Sequence, residues 1–433
     1  MLRNARRLSL AALCATLLIA PGAGPLGGQA RAGVIPALAT ATPAHGMGWT
    51  ATWAASPMAP TPLLPNQAVK GFDNQTVRNI ILTSIGGSEL RVRLSNAFGR
   101  VPLRVARTSV SLPLGGALVA PGSERHVTFG GKISVTLPPG GQAVSDPVPM
   151  TTTALEELAV DVWLRAPTGP ATYHYEAGQT SYVAAGDMCG DPSMGVTKSL
   201  PSWYFVDGVD VRGSGQHPGA VVAFGDSITD GHGSQAGAND RWPNDLARRL
   251  DARFGSRAPG VIDEGIDGNR VLSPSACFGP SALARMRRDV LGQPGARWVL
   301  VLEGVNDIGF SQEPDKGCTK PNTNVTAAQI IEGYRMLIAQ AHAHGLKVIG
   351  GTITPFKGSF YWSPAGEAKR EAVNHWIRTS GAFDAVVDFA RAVQDPPYPQ
   401  YLNPAYNSGD NLHPNDAGYQ AMAGAVNLAL LRQ

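Results

Sequence analysis

Charge is scarce in this chain. Only 16% of its 433 residues are Asp, Glu, Lys or Arg, and the formal net charge is +3. Residues 1–32 hold four arginines and no acidic residue, so removing them would change the net charge from +3 to −1. No block of Lys and Arg follows, which argues against nucleic acid or an anionic membrane as the main partner.

Long hydrophobic runs are also missing after the N-terminus. Three arginines precede one apolar run, Leu8–Ala20, and small, turn-forming residues follow it to Ala32. This pattern predicts a cleaved signal peptide over residues 1–32, and Arg6-Arg7 leaves twin-arginine export open. No later run approaches the roughly 20 apolar residues of a membrane span. We therefore expect a secreted or periplasmic protein with no integral membrane span.

Cysteine is rare, since only Cys189, Cys277 and Cys318 follow the predicted signal peptide. An odd number permits at most one disulfide within the chain. Cys277 and Cys318 lie in predicted loops at the same end of the C-terminal half, so they are the favoured pair, and Cys189 would be free. None of the three has C-x-x-C spacing, so no zinc or redox site is predicted.

The length exceeds that of one ordinary core, so two domains are expected. Residues 33–49 are rich in Ala, Pro, Thr and Gly and are predicted to be a flexible leader. Residues 50–212 carry short runs of period two, such as Leu90–Leu94, and predict an all-β sandwich of jelly-roll kind. Within it, Gly86-Gly87 separates two such runs and signals a hairpin.

Residues 213–219 are glycine-rich and are predicted to be a linker to a second domain, residues 220–433. In the second domain, five short apolar runs alternate with stretches of helical spacing. This alternation predicts an α/β fold with a doubly wound, flavodoxin-like, five-stranded parallel sheet. The active site of such a fold lies at the carboxyl ends of its strands.

Four short motifs lie at those predicted strand ends or, for the last, just before the final helix. They are Gly225-Asp226-Ser227-Ile228, Asp267-Gly268-Asn269, Gly304-Val305-Asn306-Asp307 and Asp410-Asn411-Leu412-His413. Together they supply what acyl transfer needs: a hydroxyl nucleophile, a backbone N–H donor, a side-chain amide donor and an imidazole with a carboxylate partner.

Ser227 is the candidate nucleophile, and the i, i+3 spacing of Asp410 and His413 allows one turn to bring carboxylate and imidazole together. Gly268 would present a backbone N–H without an intervening side chain, and Asn306 an amide. Each motif by itself also fits an ordinary helix cap or turn. His232 is the second candidate for the base, but the glycine-rich run Gly231-His232-Gly233 has no adjacent orienting acid in the right direction.

The combination of these motifs resembles the SGNH/GDSL hydrolase superfamily over about half the chain, from Val221 to Gln433. Ile228 stands where Leu is usual, and Thr229 rather than Gly follows two residues after Ser227, unlike the nucleophile elbow of α/β-hydrolases. The resemblance implies a Ser227–His413–Asp410 triad. It also implies an oxyanion hole formed by the N–H groups of Ser227 and Gly268 and the Asn306 side chain.

An exported β domain followed by such a hydrolase is similar to bacterial carbohydrate esterases of the xylan-esterase type. The function predicted is hydrolysis of short-chain, acetyl esters, with O-acetyl groups on polysaccharide as the expected substrate. A broad aryl-ester or lipid esterase, an acyltransferase and a non-catalytic carbohydrate-binding protein are the alternatives. No metal or organic cofactor is predicted. Several aromatic residues could offer flat faces to sugar rings, namely Trp203, Tyr204, Phe360, Tyr361 and Trp362.

Overall fold

The computed structural model describes residues 48–213 and 217–432. The predicted signal peptide, residues 33–47 of the predicted leader and the middle of the predicted linker lie outside the described residues. The described residues fall within one compact unit, Pro43–Gln433. A domain boundary at residues 213–219 stays a prediction.

The N-terminal part consists of antiparallel sheets in a sandwich-like arrangement, as the period-two runs predict. One sheet has the strand order Thr50–Ala54, Val206–Arg212, Glu89–Ser95, Gln142–Val144. The other has the order Lys198–Leu200, Ser181–Ala185, Gln75–Leu82, Glu157–Leu164, Arg107–Ser111, Arg125–Val127. Three two-stranded pairs join Tyr173–His174 to Trp203–Tyr204, Leu103–Val105 to Val135–Leu137, and Pro113–Gly115 to Leu118–Val119.

The hairpin predicted at Gly86-Gly87 is wrong. The strands on either side of it lie in different sheets, so this segment crosses from one sheet to the other. A side chain at Gly86 would place its Cβ 2.3 Å from the carbonyl oxygen of Thr152. Glycine is needed here because two backbones approach closely, and not because the chain turns.

The C-terminal part contains the predicted five-stranded sheet, and all its strand pairs are parallel. The strand order is Gly260–Gly265, Ala220–Gly225, Ala296–Leu302, Lys347–Gly351, Ala385–Val387. The second of these strands is buried along its whole length, as its unbroken apolar sequence predicts. A two-stranded antiparallel pair, Gln394–Asp395 with Tyr398–Leu402, lies outside this sheet.

Helices alternate with these strands. The α-helices of the described residues are Gln67–Lys70, Ser227–Asp230, Trp242–Phe254, Ala282–Met286, Val305–Gly309, Ala327–Ala343, Pro364–Thr379, Phe389–Val393 and Asp416–Ala425. One π-helical turn, Arg287–Leu291, extends the fourth of them. Short 3₁₀ turns lie at Gly255–Arg257, Phe310–Gln312, Gly317–Thr319 and Leu428–Leu431.

The two parts share one hydrophobic core. Buried residues of the sandwich and of the parallel sheet belong to the same contiguous cluster. The backbone N–H of Ala51 donates to the carbonyl of Pro294 at 2.9 Å, and the N–H of Val261 donates to Ser84 Oγ at 2.9 Å. A side chain at Gly260 would place its Cβ 2.4 Å from the Ala51 carbonyl oxygen. The first β-strand therefore packs directly on the edge of the parallel sheet.

The disulfide predicted between Cys277 and Cys318 is confirmed, with 5.1 Å between the two Cα atoms. Cys189 is free and buried. Among the described residues, no helix combines the length and the apolar character that crossing a bilayer requires.

A buried ion pair joins two neighbouring strands of the larger antiparallel sheet. Arg78 donates to both carboxylate oxygens of Asp161, at 2.7 and 2.8 Å, and both side chains are fully shielded from solvent. Asp161 also accepts from Ser109 Oγ at 3.3 Å and from the Gly190 N–H at 2.8 Å. Removing one member of such a pair strands the other as an uncompensated charge.

We expect Asp161→Ala to lower the free energy of unfolding by about 3–5 kcal/mol, because Arg78 would stay buried without its carboxylate. The matched control is Glu332→Ala, which removes the acid of an exposed pair with Arg335 and should cost less than about 1 kcal/mol. Urea unfolding of both variants measures the difference. Equal losses in the two variants would contradict the structural role of the buried pair.

Candidate active site

The structure brings the first and last motifs together. Ser227 Oγ lies 2.8 Å from His413 Nε2, although 186 positions separate the two residues in the chain. His413 Nδ1 lies 2.6 Å from Asp410 Oδ2. The three predicted triad residues therefore form one continuous chain of hydrogen bonds.

Ser227 is positioned by a short helix that begins directly after a strand. The strand ends at Gly225, and the Asp226 carboxylate caps the helix Ser227–Asp230 by accepting from the Ile228 N–H at 3.0 Å. Gly231, in the left-handed conformation at φ 95°, ends the helix. The Ser227 hydroxyl is thus fixed at the carboxyl edge of the sheet, where the sequence predicts it.

Asp410 and His413 are held by one turn. One carboxylate oxygen of Asp410 accepts from the N–H groups of Leu412 and His413, each at 2.9 Å, and the other binds the imidazole. Burial opposes ionisation of Asp410, but the hydrogen bonds from the His413 side chain and these backbone groups hold its pKa well below its ordinary value. Asp410 is therefore a carboxylate that fixes the imidazole tautomer with the proton on Nδ1.

The pKa of His413 lies below its ordinary value. Burial is the largest cause, and the positive charge of His232 adds to it, whereas the bond to Asp410 acts in the opposite direction. His413 is accordingly neutral near pH 7. Its Nε2 is then the atom able to accept the Ser227 proton.

Gly268 lies in a turn with φ 69°, a conformation that favours glycine. A Cβ at this position would lie 2.4 Å from the ring of Phe278, so the ring fills the space that a side chain would need. Among the described residues, the Gly268 N–H has no protein acceptor and is free to donate. Gly268 thus has a free backbone N–H on a turn that packs closely against the Phe278 ring.

The Asn306 amide has a fixed orientation. Its Nδ2 donates to the Asn269 carbonyl at 2.9 Å, and its Oδ1 accepts from the Tyr361 hydroxyl at 3.2 Å. Burial raises the pKa of Tyr361 above its ordinary value, so that hydroxyl keeps its proton and acts as a donor. The second hydrogen on Asn306 Nδ2 is left for another acceptor.

Asp307, the residue after Asn306, holds the loop that carries Gly268. Its carboxylate accepts from the N–H groups of Val271 and Leu272, at 2.7 and 3.1 Å. Burial raises the pKa of Asp307 to about 6, although these backbone donors lower it. The third motif therefore positions the second as well as supplying its own amide.

Arg285, which is fully buried, connects the strand ends beneath the site. Its guanidinium donates to the carbonyls of Gly225 and Glu264, each at 2.7 Å, and to Asn269 Oδ1 at 2.9 Å. It also donates to Ser56 Oγ at 3.1 Å, and it stacks over Phe224 at 4.0 Å. The residue before Asp226 and the residue after Gly268 are thus attached to the same side chain.

His232 has an acid partner that the sequence does not reveal. The acid that orients the His232 ring comes from a distant segment of the chain. His232 Nδ1 lies 2.8 Å from Glu176 Oε2, and Glu176 is a residue of the β part. This bond raises the pKa of His232 to about 9 despite its burial. The rings of His232 and His413 lie 4.2 Å apart between centroids. His232 is therefore a charged neighbour of the candidate base.

A second histidine of the β part supports the turn that carries Gly268. His174 Nε2 lies 2.9 Å from Asp230 Oδ1, and Asp230 Oδ2 accepts from the Asp267 N–H at 3.0 Å. Burial opposes the charge, but Asp230 and the Ser56 carbonyl raise the pKa of His174 to about 9. The buried imidazolium thus balances the acid that holds the residue before Gly268.

Most of the aromatic residues proposed as sugar platforms are buried. Trp203, Tyr204 and Tyr361 are at most 4% exposed and pack within the core. Trp362 is partly buried against that core, and Phe360 is 69% exposed. Phe360 is therefore the member of this set that offers a free face to a ligand.

Two groups of side chains have potential metal-binding atoms within 4.8 Å of one another in the described residues. They are His232, Asp410, His413 and Glu176, His232, Asp267. Both ring nitrogens of His413 bind other side chains, and the Nδ1 of His232 binds Glu176. The donor atoms are thus engaged in His–acid pairs, and neither group is assigned as a metal centre.

If Asn306 is an oxyanion donor, Asn306→Ala should lower kcat by about 10²–10³-fold, the usual cost of losing one such donor. Tyr361→Phe, which removes only the hydroxyl that orients the amide, should cost less. Steady-state kinetics on a soluble aryl acetate measures both variants. A loss of tenfold or less in Asn306→Ala would remove Asn306 from the oxyanion site.

Comparison with known proteins identifies the fold around this site. Residues 223–421 match the model of the GDSL-like lipase/acylhydrolase family. This span contains all five predicted site residues. No curated protein matches this sequence.

Among the solved structures that match, the following three each cover about half of this chain. An acetylxylan esterase from Geobacillus stearothermophilus is 21% identical, with 49% of this chain and 93% of that chain covered and a TM-score of 0.38. A GDSL-like lipase from Bacteroides thetaiotaomicron is 21% identical, with 49% and 87% covered and a TM-score of 0.34. An α/β hydrolase from the metagenome of Lake Arreo, Spain, is 24% identical, with 50% and 95% covered and a TM-score of 0.39.

The assignment depends on the family match and on the five-stranded parallel sheet. The sequence resemblance to SGNH/GDSL hydrolases is thereby confirmed. Residues 223–421 of this chain match the GDSL-like lipase/acylhydrolase family, and a domain of that kind makes the protein a hydrolase of carboxylic esters.

Proposed function

We propose that the protein hydrolyses short-chain esters, in particular acetyl esters, by a Ser-His-Asp mechanism. The observation that carries the proposal is the hydrogen-bonded chain from Ser227 Oγ through His413 to Asp410. His413 Nε2 takes the Ser227 proton as Oγ attacks the ester carbonyl, and Asp410 stabilises the imidazolium that forms. The imidazolium then gives its proton to the leaving alcohol, and an acyl-enzyme remains.

Hydrolysis of the acyl-enzyme repeats the same steps with water. His413 accepts a proton from the attacking water, and returns it to Ser227 Oγ when the carboxylic acid leaves. In both tetrahedral intermediates the negative oxygen requires donors. The free N–H of Gly268 and the second hydrogen on the oriented Asn306 amide support this role, together with the Ser227 N–H.

Packing around the donors supports a small acyl group. Phe278 lies against Gly268, stacks on Phe310 with 5.6 Å between ring centroids, and Phe310 contacts the ring of Tyr361 at 5.8 Å. These rings fill the space behind the donors, so an acetyl group fits better than a long acyl chain. We further propose O-acetylated polysaccharide as the natural substrate, for which the exposed ring of Phe360 offers one flat contact.

Export is part of the proposal. The arginines and the apolar run at the N-terminus support it, and so does the Cys277–Cys318 disulfide, since disulfides persist mainly in oxidising compartments.

The catalytic proposal is tested with purified protein on a short-chain aryl acetate, a long-chain aryl ester and acetylated xylan. We expect cleavage of the acetate and release of acetate from xylan. Ser227→Ala should reduce kcat by several orders of magnitude, because it removes the nucleophile. EDTA should leave the rate unchanged, since neither group of potential metal ligands is assigned as a metal centre.

Each outcome separates the alternatives. Full activity of Ser227→Ala would refute the assigned nucleophile, and cleavage of long-chain esters alone would favour a lipid esterase. Transfer of the acetyl group to an added alcohol in preference to water would favour an acyltransferase. Retention on a glycan column without turnover of any ester would favour the carbohydrate-binding alternative.

Export is tested by expressing the full chain in a bacterial host and sequencing the N-terminus of the protein recovered outside the cytoplasm. We expect a new N-terminus close to residue 33. Recovery of the intact chain from the cytoplasm alone would contradict the proposal. Replacing Arg6-Arg7 by two lysines distinguishes the routes, because only twin-arginine export should be blocked.

A further inference from the structure

His232 lies beside the candidate triad, is held by its backbone and its side chain, and is not used by the proposed mechanism. Its backbone N–H donates to the Ser227 carbonyl at 2.9 Å, and its own carbonyl accepts from the Tyr419 hydroxyl. Its Nδ1 is bound to Glu176. Three separate contacts therefore fix the residue, and they come from three different segments of the chain.

The glycines beside His232 allow it to approach the triad. Gly233 has φ 87°, and a Cβ there would lie 2.9 Å from the Pro414 carbonyl oxygen. The absence of a side chain at Gly233 thus lets the His232 loop pack closely against the segment that carries His413 and Pro414. The ring centroids of His232 and His413 lie 4.2 Å apart.

We propose that His232, held by Glu176, is a positioning residue that keeps His413 in its neutral, proton-accepting form. An imidazolium beside His413 disfavours a second positive charge on the neighbouring ring, since like charges about 4 Å apart repel each other. The inference rests on the proposed function, because it concerns the base of that mechanism. Glu176 acts through His232 and belongs to the β part of the chain.

The charged groups that face this pair come from each neighbouring segment. His413 is faced by Asp410, His232 and Glu176. His232 is faced by Glu176, Asp267, Asp410 and His413, and Tyr419 of the helix Asp416–Ala425 contacts its backbone. Asp410 is needed to stabilise the imidazolium after proton transfer. His232 is the positively charged member of this group when His413 is neutral.

The direction of the effect follows from these charges. While His232 is positive, His413 binds a proton only at lower pH, and the base stays active on the acidic side of neutrality. Removing the charge of His232 leaves Glu176 and Asp410 to favour protonation of His413. The enzyme would then lose its base at a higher pH.

The test is the pH dependence of kcat/KM on an aryl acetate, which reports the free enzyme's base. For His232→Gln we expect the acidic limb to move up by about 1 pH unit, with the plateau above it nearly unchanged. The matched control is His342→Gln, which breaks a His–acid pair with Asp384 of the same length, 2.8 Å, on another surface. Its acidic limb should coincide with that of the unaltered protein.

A second measurement begins with the unaltered protein, so its first result does not depend on the folding of any variant. In the unaltered protein, NMR of ¹⁵N-labelled histidine should show the His232 ring as imidazolium at pH 7 and His413 as neutral. In Glu176→Gln, the His232 titration should move to lower pH, because its partner charge is lost.

Two results would overturn the inference: an unshifted or downward-shifted acidic limb in His232→Gln that folds normally, or a neutral His232 ring at pH 7 in the unaltered protein. The Ser227→Ala variant distinguishes these results from a failure of the proposed function. If the proposed function is wrong, Ser227→Ala keeps its activity. If only the inference about His232 is wrong, Ser227→Ala is inactive.

Discussion

The buried guanidinium of Arg285 is the interaction on which the arrangement of the site depends. One side chain binds the carbonyl ends of two adjacent parallel strands, at Gly225 and Glu264, and the side chain of Asn269 in the turn beyond them. A planar group with five fixed donors suits this task, because it satisfies several acceptors while setting the angles between them. The segments that carry Ser227 and Gly268 are thus attached to one side chain, so the separation of these two residues does not depend on loop packing alone.

The β part of the chain contributes directly to this arrangement. Ser56 binds Arg285, His174 binds the acid that holds Asp267, and Glu176 binds His232. Ser56 follows the first β-strand, which packs on the edge of the parallel sheet, and the Ser56 carbonyl also contacts the His174 ring. The antiparallel part is therefore more than a neighbouring module, since its polar side chains complete the electrostatic environment of the candidate base.

Sequence patterns predicted the parts of this site that depend on local order. Ser227, Gly268 and Asn306 follow buried parallel strands, and such strands must end on the same edge of the sheet. The turn from Asp410 to His413 is short enough to be inferred from spacing. Glu176 could not be found in the same way, because 56 positions separate it from His232 and nothing in either segment marks the pairing.

The errors have a common physical origin. The sequence Gly86-Gly87 predicts a turn because glycine favours turns, but the crossing between two sheets requires the small size of glycine. Tyr361 was a candidate surface for sugars because it is aromatic, yet it is buried and its hydroxyl orients Asn306. In both cases the residue type indicates that the position is special. The role of the residue depends on a tertiary contact, with Thr152 for Gly86 and with Asn306 for Tyr361, which the local sequence does not encode.

The disulfide between Cys277 and Cys318 connects the packing near Gly268 to the redox conditions around the protein. Cys277 directly precedes Phe278, whose ring occupies the space against Gly268. With the bond formed, the ring can retreat only as far as the loop around Cys318 allows. The redox state of the compartment would thus act on the packing against Gly268, the candidate oxyanion donor, although both sulfur atoms lie outside the candidate triad.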